Sequence, residues 1–240
     1  DAVNANTHVV VCLTDYEIWK TIIEAHELND CFEGTCIIQL TTGTISAVQE
    51  HAAFIKSHGG RVADGAVMCY PRDLGTDAGS LLMAGPPDVL DECSPLLRML
   101  APSWTNLGED IKKPTILSRA LMVDVAMSLI GIVNGVTIAR AGGISLDDFM
   151  QHTKNVGAIL PNEKIRLIEA VRSGNTHETQ ASITAWGEGQ KAVRSVAKSL
   201  GTNLVLQNAV KIVFEEAEQL GLGEQDLSAL TEVFNTTPQP

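Results

Sequence analysis

At 240 residues, with 45% hydrophobic and 19% charged residues, the chain can bury one large core or two smaller ones and has an ordinary folded-protein composition. Its formal net charge of −12 excludes a nucleic-acid backbone as partner, because neutralising phosphates takes a surplus of Lys and Arg. The cysteines Cys12, Cys31, Cys36, Cys69 and Cys93 form no CxxC spacing, so inert thiols in a reducing cytoplasm are expected.

In chain order, His8–Leu13 (HVVVCL) is a β-branched run of the kind that forms a strand covered on both faces. Residues 15–28 follow with helical spacing. Thr35–Leu40 (TCIIQL) predicts a second strand, and residues 45–58 a second helix that Gly59-Gly60 ends. Further strands are expected at Arg61–Met68, at Ser80–Ala84 and near Trp104–Leu107, with a helix over 88–100 opened by Pro86-Pro87. Strands alternating with helices imply a doubly wound α/β sheet made of parallel strands.

From about Pro114 the period is helical throughout, with helices predicted at 115–141, 145–156, 161–173, 177–199, 203–220 and 225–234. The division expected is 1–112 for the α/β part and 113–240 for a long connecting helix with an all-helical domain. Ala120–Ala139 contains one charge, Asp124, and is long enough for a bilayer. Its Asn134, Ser128 and two glycines, with no second span after it, favour a helix buried inside a soluble protein or dimer. The first residues lack a basic start and a cleavage pattern, so neither a secretory signal nor membrane attachment is expected.

Three ordered motifs carry a resemblance. Gln39–Thr44 (QLTTGT) is similar to the LTNGT loop of imine reductases, and Gly65–Gly75 (GAVMCYPRDLG) to their GxIMxxPxxIG segment. Gly221–Phe234 (GLGEQDLSALTEVF) resembles the ending GxGxxDxSAxxE, in which Asp226 stands where a helix N-cap belongs. The chain thus resembles the imine reductase and reductive aminase branch of the β-hydroxyacid dehydrogenase superfamily. The resemblance implies a Rossmann-like domain joined by a long helix to an all-α domain, and reduction of a C=N bond by hydride from NADPH, with NADH also open. It also implies a small imine, or a carbonyl and amine, as substrate. Relatives place the cleft between subunits of a domain-swapped homodimer, and an apolar helix over 115–141 would suit a partner's embrace. No GxGxxG turn occurs in these residues, so the first half of the dinucleotide domain is expected upstream of Asp1.

Ligands of open α/β sheets bind at the C-terminal ends of the strands, which selects Leu13, Thr14 and Asp15 together with Thr41, Thr42 and Gly43. The resemblance lays both loops along the cofactor; the plainer reading is two turns with capping chemistry. The motif assigns Met68 to the substrate pocket, and Met122 and Trp186 join it by resemblance, although each could equally be core filler.

At the proton-handling position the counting falls on Ser118, where relatives carry Asp, Tyr or Lys. A serine hydroxyl is a weak acid near neutrality, and Lys112, Lys113 and Pro114 replace the small residues usual before this site. Tyr70 and Asp124 are weaker candidates; Asp124 lies about 240° around the helix from Ser118, and a structural ion pair is its plainer role. The histidines show no metal-ligand spacing, so no metal site is expected. Two other functions stay open: a β-hydroxyacid dehydrogenase, against which the missing Lys at 118 counts, and a non-catalytic binding protein on the same fold.

Overall fold

A computed structural model of the chain describes residue 3 and residues 6–235. It divides into two units, Asp1–Ala126 and Met127–Pro240.

The first unit holds a five-stranded sheet in sequential order. Its strands are β1 (His8–Val11), β2 (Cys36–Gln39), β3 (Arg61–Val67), β4 (Leu81–Ala84) and β5 (Thr105–Asn106). Helix α1 (Tyr16–Ala25) starts where the Asp15 carboxylate accepts from Ile18 N at 2.9 Å. Helix α2 (Ile45–Ser57) starts where Thr44 Oγ1 accepts from Ala47 N at 3.2 Å, and it stops before Gly59, whose φ of +78° takes the left-handed region. Helix α3 (Pro87–Leu100) opens on proline, as its sequence predicts.

The period of β2 explains the two-layered cover. Cys36, Ile38 and Leu40 face Val89, Leu90, Cys93 and Leu97 of α3, while Ile37 packs with Trp19, Ile23, Ala52 and Ile55 of α1 and α2. A strand buried on both faces must read as an unbroken apolar run, and all four β2 residues are buried.

The parallel sheet expected from the sequence needs a correction at β4. Strands β1, β2 and β3 pair in parallel, and so do β4 and β5, but β4 runs antiparallel to β3 with Asp64 opposite Ala84. A parallel return requires a crossover, usually a helix of a dozen or more residues. Between β3 and β4 the chain makes only the 3-10 turn Pro71–Asp73, so it comes straight back along the strand it left.

Helix α4 (Lys113–Ala141) runs through the division between the units. The second unit continues with α5 (Leu146–Gly157), α6 (Leu160–Ser173), α7 (Ile183–Ser199), α8 (Val205–Gln219), the 3-10 turn Leu227–Leu230 and α9 (Thr231–Asn235). Two predicted limits shift. The helix expected from residue 177 begins only after Ser182, whose hydroxyl accepts from Ala185 N; Thr179 Oγ1 bonds both N and O of Ala181 and holds a turn there instead. The helix expected over 225–234 is the 3-10 turn followed by α9, opened by Asp226 as its N-cap. A small core of Ile183, Ala217, Leu222, Ala229 and Val233 ties α7, α8 and the C-terminal turns together.

Candidate functional site

At the C-terminal ends of β1 and β2 the two loops selected from the sequence are bonded to each other. Leu40 N donates to Val11 O at 2.7 Å, and Leu13 N donates to Thr41 Oγ1 at 3.0 Å. Thr41 is buried, its N–H held by Gln39 Oε1 at 3.0 Å, whereas Thr14 and Thr42 are exposed. At Gly43 the backbone passes close to α1: a Cβ there would come within 2.5 Å of Tyr16 Cε2.

Beneath the loops lies a polar layer that the sequence reading missed. Tyr16 OH donates to Asp64 Oδ2 at 2.5 Å. Burial pushes the Asp64 carboxyl up to about 7, with the Tyr16 hydrogen bond pulling part of the way back. Burial and the neighbouring Asp64 together push the Tyr16 hydroxyl far above the usual phenol range. Trp19 Nε1 donates to His51 Nε2 at 2.7 Å, and burial lowers that histidine to about 4, so it is neutral at physiological pH. Gln39 and Asp64 are Cα partners in the β2–β3 register. Gln39 Nε2 and Asp64 Oδ1 are buried without a hydrogen-bond partner, one orphaned donor beside one orphaned acceptor. The available signal was a single amide in CIIQ and a single carboxylate in RVADGAV, polar groups in otherwise apolar strands.

These features fit the ribose and nicotinamide end of a dinucleotide: exposed hydroxyls at Thr14 and Thr42, a side-chain-free position at Gly43, and unspent donor and acceptor atoms below. The pyrophosphate turn is not among these residues, so no contact to that group is assigned.

The other predicted residues are placed as follows. Ser118 is buried, and its hydroxyl donates back to Thr115 O at 3.0 Å, within its own helix. Tyr70 is exposed with the Arg72 guanidinium 5.2 Å from its ring centre. Asp124 and Met122 are exposed along α4, Met68 is half-buried at the end of β3, and Trp186 is exposed on α7 in the second unit. Of the whole set, the direct bond between Leu13 and Thr41 is the one the structure brings together.

The sequence compares with known proteins as follows. A family model described as "NADPH-dependent reductive aminase-like, C-terminal domain" matches residues 112–236, more than half of the chain. An NADPH-dependent reductive aminase of Aspergillus oryzae is 24% identical over 257 residues, covering 98% of this chain and 80% of that protein. Among solved structures, an imine reductase from Myxococcus stipitatus in complex with NADP+ superposes with a TM-score of 0.93 at 24% identity, covering 98% of this chain and 82% of that one. A reductive aminase from Aspergillus terreus in complex with NADPH4, cyclohexanone and allyl amine gives 0.89 at 19% identity, covering 98% and 81%. The resemblance carried by the three sequence motifs and the match over residues 112–236 agree: the chain belongs to the NADPH-dependent reductive aminase-like family.

Proposed function

We propose that the protein reduces C=N bonds to amines with hydride from NADPH. The observation that carries this is the bonded pair of loops at the ends of β1 and β2, with its orphaned polar atoms, in a chain of this family. When bound, the dinucleotide supplies the hydride and its two electrons. The chain's own residues bind and orient: Leu13–Asp15 and Thr41–Gly43 form the ledge along the ribose, and Thr41, with its hydroxyl taken by Leu13 N, fixes the spacing of the two loops. Met68 and Met122 of the first unit offer apolar surface to an amine substrate. Ser118 spends its proton on Thr115 O, so the reaction proton comes from water.

We also propose a homodimer in which a partner chain covers α4. That helix has 29 residues, about 44 Å at 1.5 Å per residue, and is long and apolar enough to cross a membrane. Leu121, Val123, Leu129, Ile130 and Val133 are all exposed on it. The family and the NADP+-bound structural relative favour a protein partner over a bilayer. We place the protein in the cytoplasm, since its cysteine count is odd and its spacing lacks a disulfide framework.

The test uses full-length protein with a panel of cyclic imines and 3-hydroxyacids, each with NADPH and NADH. NADPH-dependent amine formation is expected. Turnover of 3-hydroxyacids alone would assign a dehydrogenase, and no turnover with intact NADPH binding would assign a binding protein.

A further inference from the structure

At the opposite end of the strands from the loops, the sheet register builds a second cluster. His8 and Cys36 open β1 and β2 and are direct Cα partners, and Cys36 is in turn the partner of Arg61 at the start of β3. Three residues of one row therefore share one face of the sheet, and α3 lies over that face with Glu92 and Cys93. The ligand atoms of His8, Cys36 and Cys93 all lie within 4.8 Å of one another. Cys36 Sγ and Cys93 Sγ are 3.3 Å apart and fully buried. A carboxylate oxygen of Glu92 stands 2.8 Å from His8 Nε2.

We propose that His8, Cys36 and Cys93 form a structural zinc site, whose fourth donor is Glu92 once its carboxylate, now paired with Arg61 and His8, turns towards the sulfurs. Two thiolates, an imidazole and a carboxylate are the donor types that tetrahedral zinc takes. With zinc–sulfur bonds of about 2.3 Å, two thiolates of a tetrahedral site stand about 3.8 Å apart, so the sulfurs need to part by about half an ångström.

The imidazole is prepared for the role. Thr7 Oγ1 lies 3.1 Å from His8 Nδ1, and when Nδ1 carries the proton and donates to that hydroxyl, Nε2 presents its lone pair. Nε2 is shielded from water and lacks an aligned hydrogen-bond partner, its contact to Glu92 being an unaligned ion-pair distance. Charge also closes. Two thiolates and one carboxylate offset the dication and the Arg61 guanidinium, which is bonded to Glu92 at 3.0 Å through Nη2. Zinc binding releases two thiol protons to solvent and involves no redox step. The ion has an entry path, because the His8 side chain is 33% exposed beside the two buried sulfurs.

The apolar surroundings of Cys36 and Cys93, including Ile38, Leu40 and Leu90, would suit two plain core thiols equally well. What sets this pair apart is that the His8 imidazole converges on the two sulfurs, with the Glu92 carboxylate 2.8 Å from its Nε2. The sequence hid the cluster, since positions 8, 36 and 93 match no ligand spacing and meet only through strand register.

The experiment takes full-length protein, freed of metal by a chelator under reducing, oxygen-free conditions, and titrates it with Co2+ and then Zn2+. One cobalt per chain is expected, with thiolate-to-cobalt charge-transfer absorption that Zn2+ displaces and a raised unfolding temperature. Cys36→Ala and Cys93→Ala should each abolish the absorption, and Thr7→Ala should weaken zinc binding by about tenfold, as lost support of a ligating histidine does. If the cysteine variants misfold, the zinc-dependent rise in unfolding temperature of the unaltered chain is read alone, and its absence overturns the proposal. Charge-transfer absorption that survives both cysteine variants, or none at all with fully reduced thiols, also overturns it. So does a Cys36–Cys93 disulfide in protein isolated without oxygen. None of these results bears on imine reduction, because the site is at the other end of the strands from the cofactor loops.

Discussion

The two units bury their apolar residues very differently. In the second unit the buried apolar residues, among those described, are Ile183, Ala197, Ala217, Leu222, Ala229 and Val233; the much longer remainder of the core belongs to the first. Yet the second unit has many large apolar side chains. Ile130, Val133, Ile144, Ile165, Ile168, Val205 and Ile212 are all exposed. A sheet with helices on both faces covers itself, whereas these helices present apolar faces that their own unit leaves uncovered. The sheet of the first unit is covered within one chain, whereas the exposed apolar faces of α4 and of the second unit are the physical case for the dimer proposed above.

The sharpest way to break that comparison is to charge the exposed helix. Val133→Glu on α4 is expected to convert the dimer to monomer or aggregate and to abolish turnover, since obligate interfaces of about 2,000 Å2 or more tolerate no unpaired charge at their core. Light scattering at micromolar concentration decides it, and a dimer that survives with full activity means α4 is covered by something else. Next in size, Leu90→Ala in the first unit should cost about 2–5 kcal/mol in urea unfolding, because Leu90 is 1% exposed and packs against the sheet.

A pH series tests the buried polar layer of the first unit. Asp64 is raised to about 7 from a usual 3.8, so the folded state holds its proton more tightly and stability falls as pH rises between these values. His51 is lowered to about 4 from 6.5, so its contribution is complete above 6.5 and lost as pH falls towards 4. Between about pH 4 and 6.5 the two slopes oppose each other, each at most about 1.4 kcal/mol per pH unit. The unaltered protein should therefore show little pH dependence there. Asp64→Asn should make stability rise with pH across that window and His51→Gln should make it fall, both read by chemical denaturation. Identical profiles for all three would remove the assigned ionisations.

The smallest effect lies in the second unit. Burial raises the Asp226 carboxyl, but the Ser228 N–H at 3.0 Å and the Arg166 guanidinium at 3.0 Å outweigh it and hold the group at about 2. Its contribution is complete above about pH 4 and lost as pH falls through about 2. Asp226→Ala should cost about 0.5–2 kcal/mol, the usual worth of an N-cap, at neutral pH. A larger loss, measured in the dimer, would show that this turn supports more of the second unit than its small core implies.

Much was legible in the sequence because it depends on neighbours along the chain. Hydrophobic period placed α2 and α3, and the change of period near Pro114 placed the start of α4 within two residues. Capping chemistry placed Asp226, and the strand-end rule chose the two loops that Leu13 and Thr41 join. These are local signals, set by backbone geometry and side-chain spacing within a few residues.

Tertiary structure decided what depends on partners far apart in sequence. The reversal of β4 followed from the lack of a crossover helix between β3 and β4, and the start of α7 from a Thr179 turn that outbid helical hydrogen bonds. That the Ser118 hydroxyl donates to Thr115 O is likewise a matter of packing that residue counting does not show. The Tyr16–Asp64 bond spans 48 positions and the Cys36–Cys93 contact spans 57, and neither spacing has a local period to betray it. By itself the sequence determined most of the helical and extended segments and which loops end the parallel strands. Register and packing determined which side chains meet, because a strand's pairing partner is set by burial of a whole face and not by any one residue.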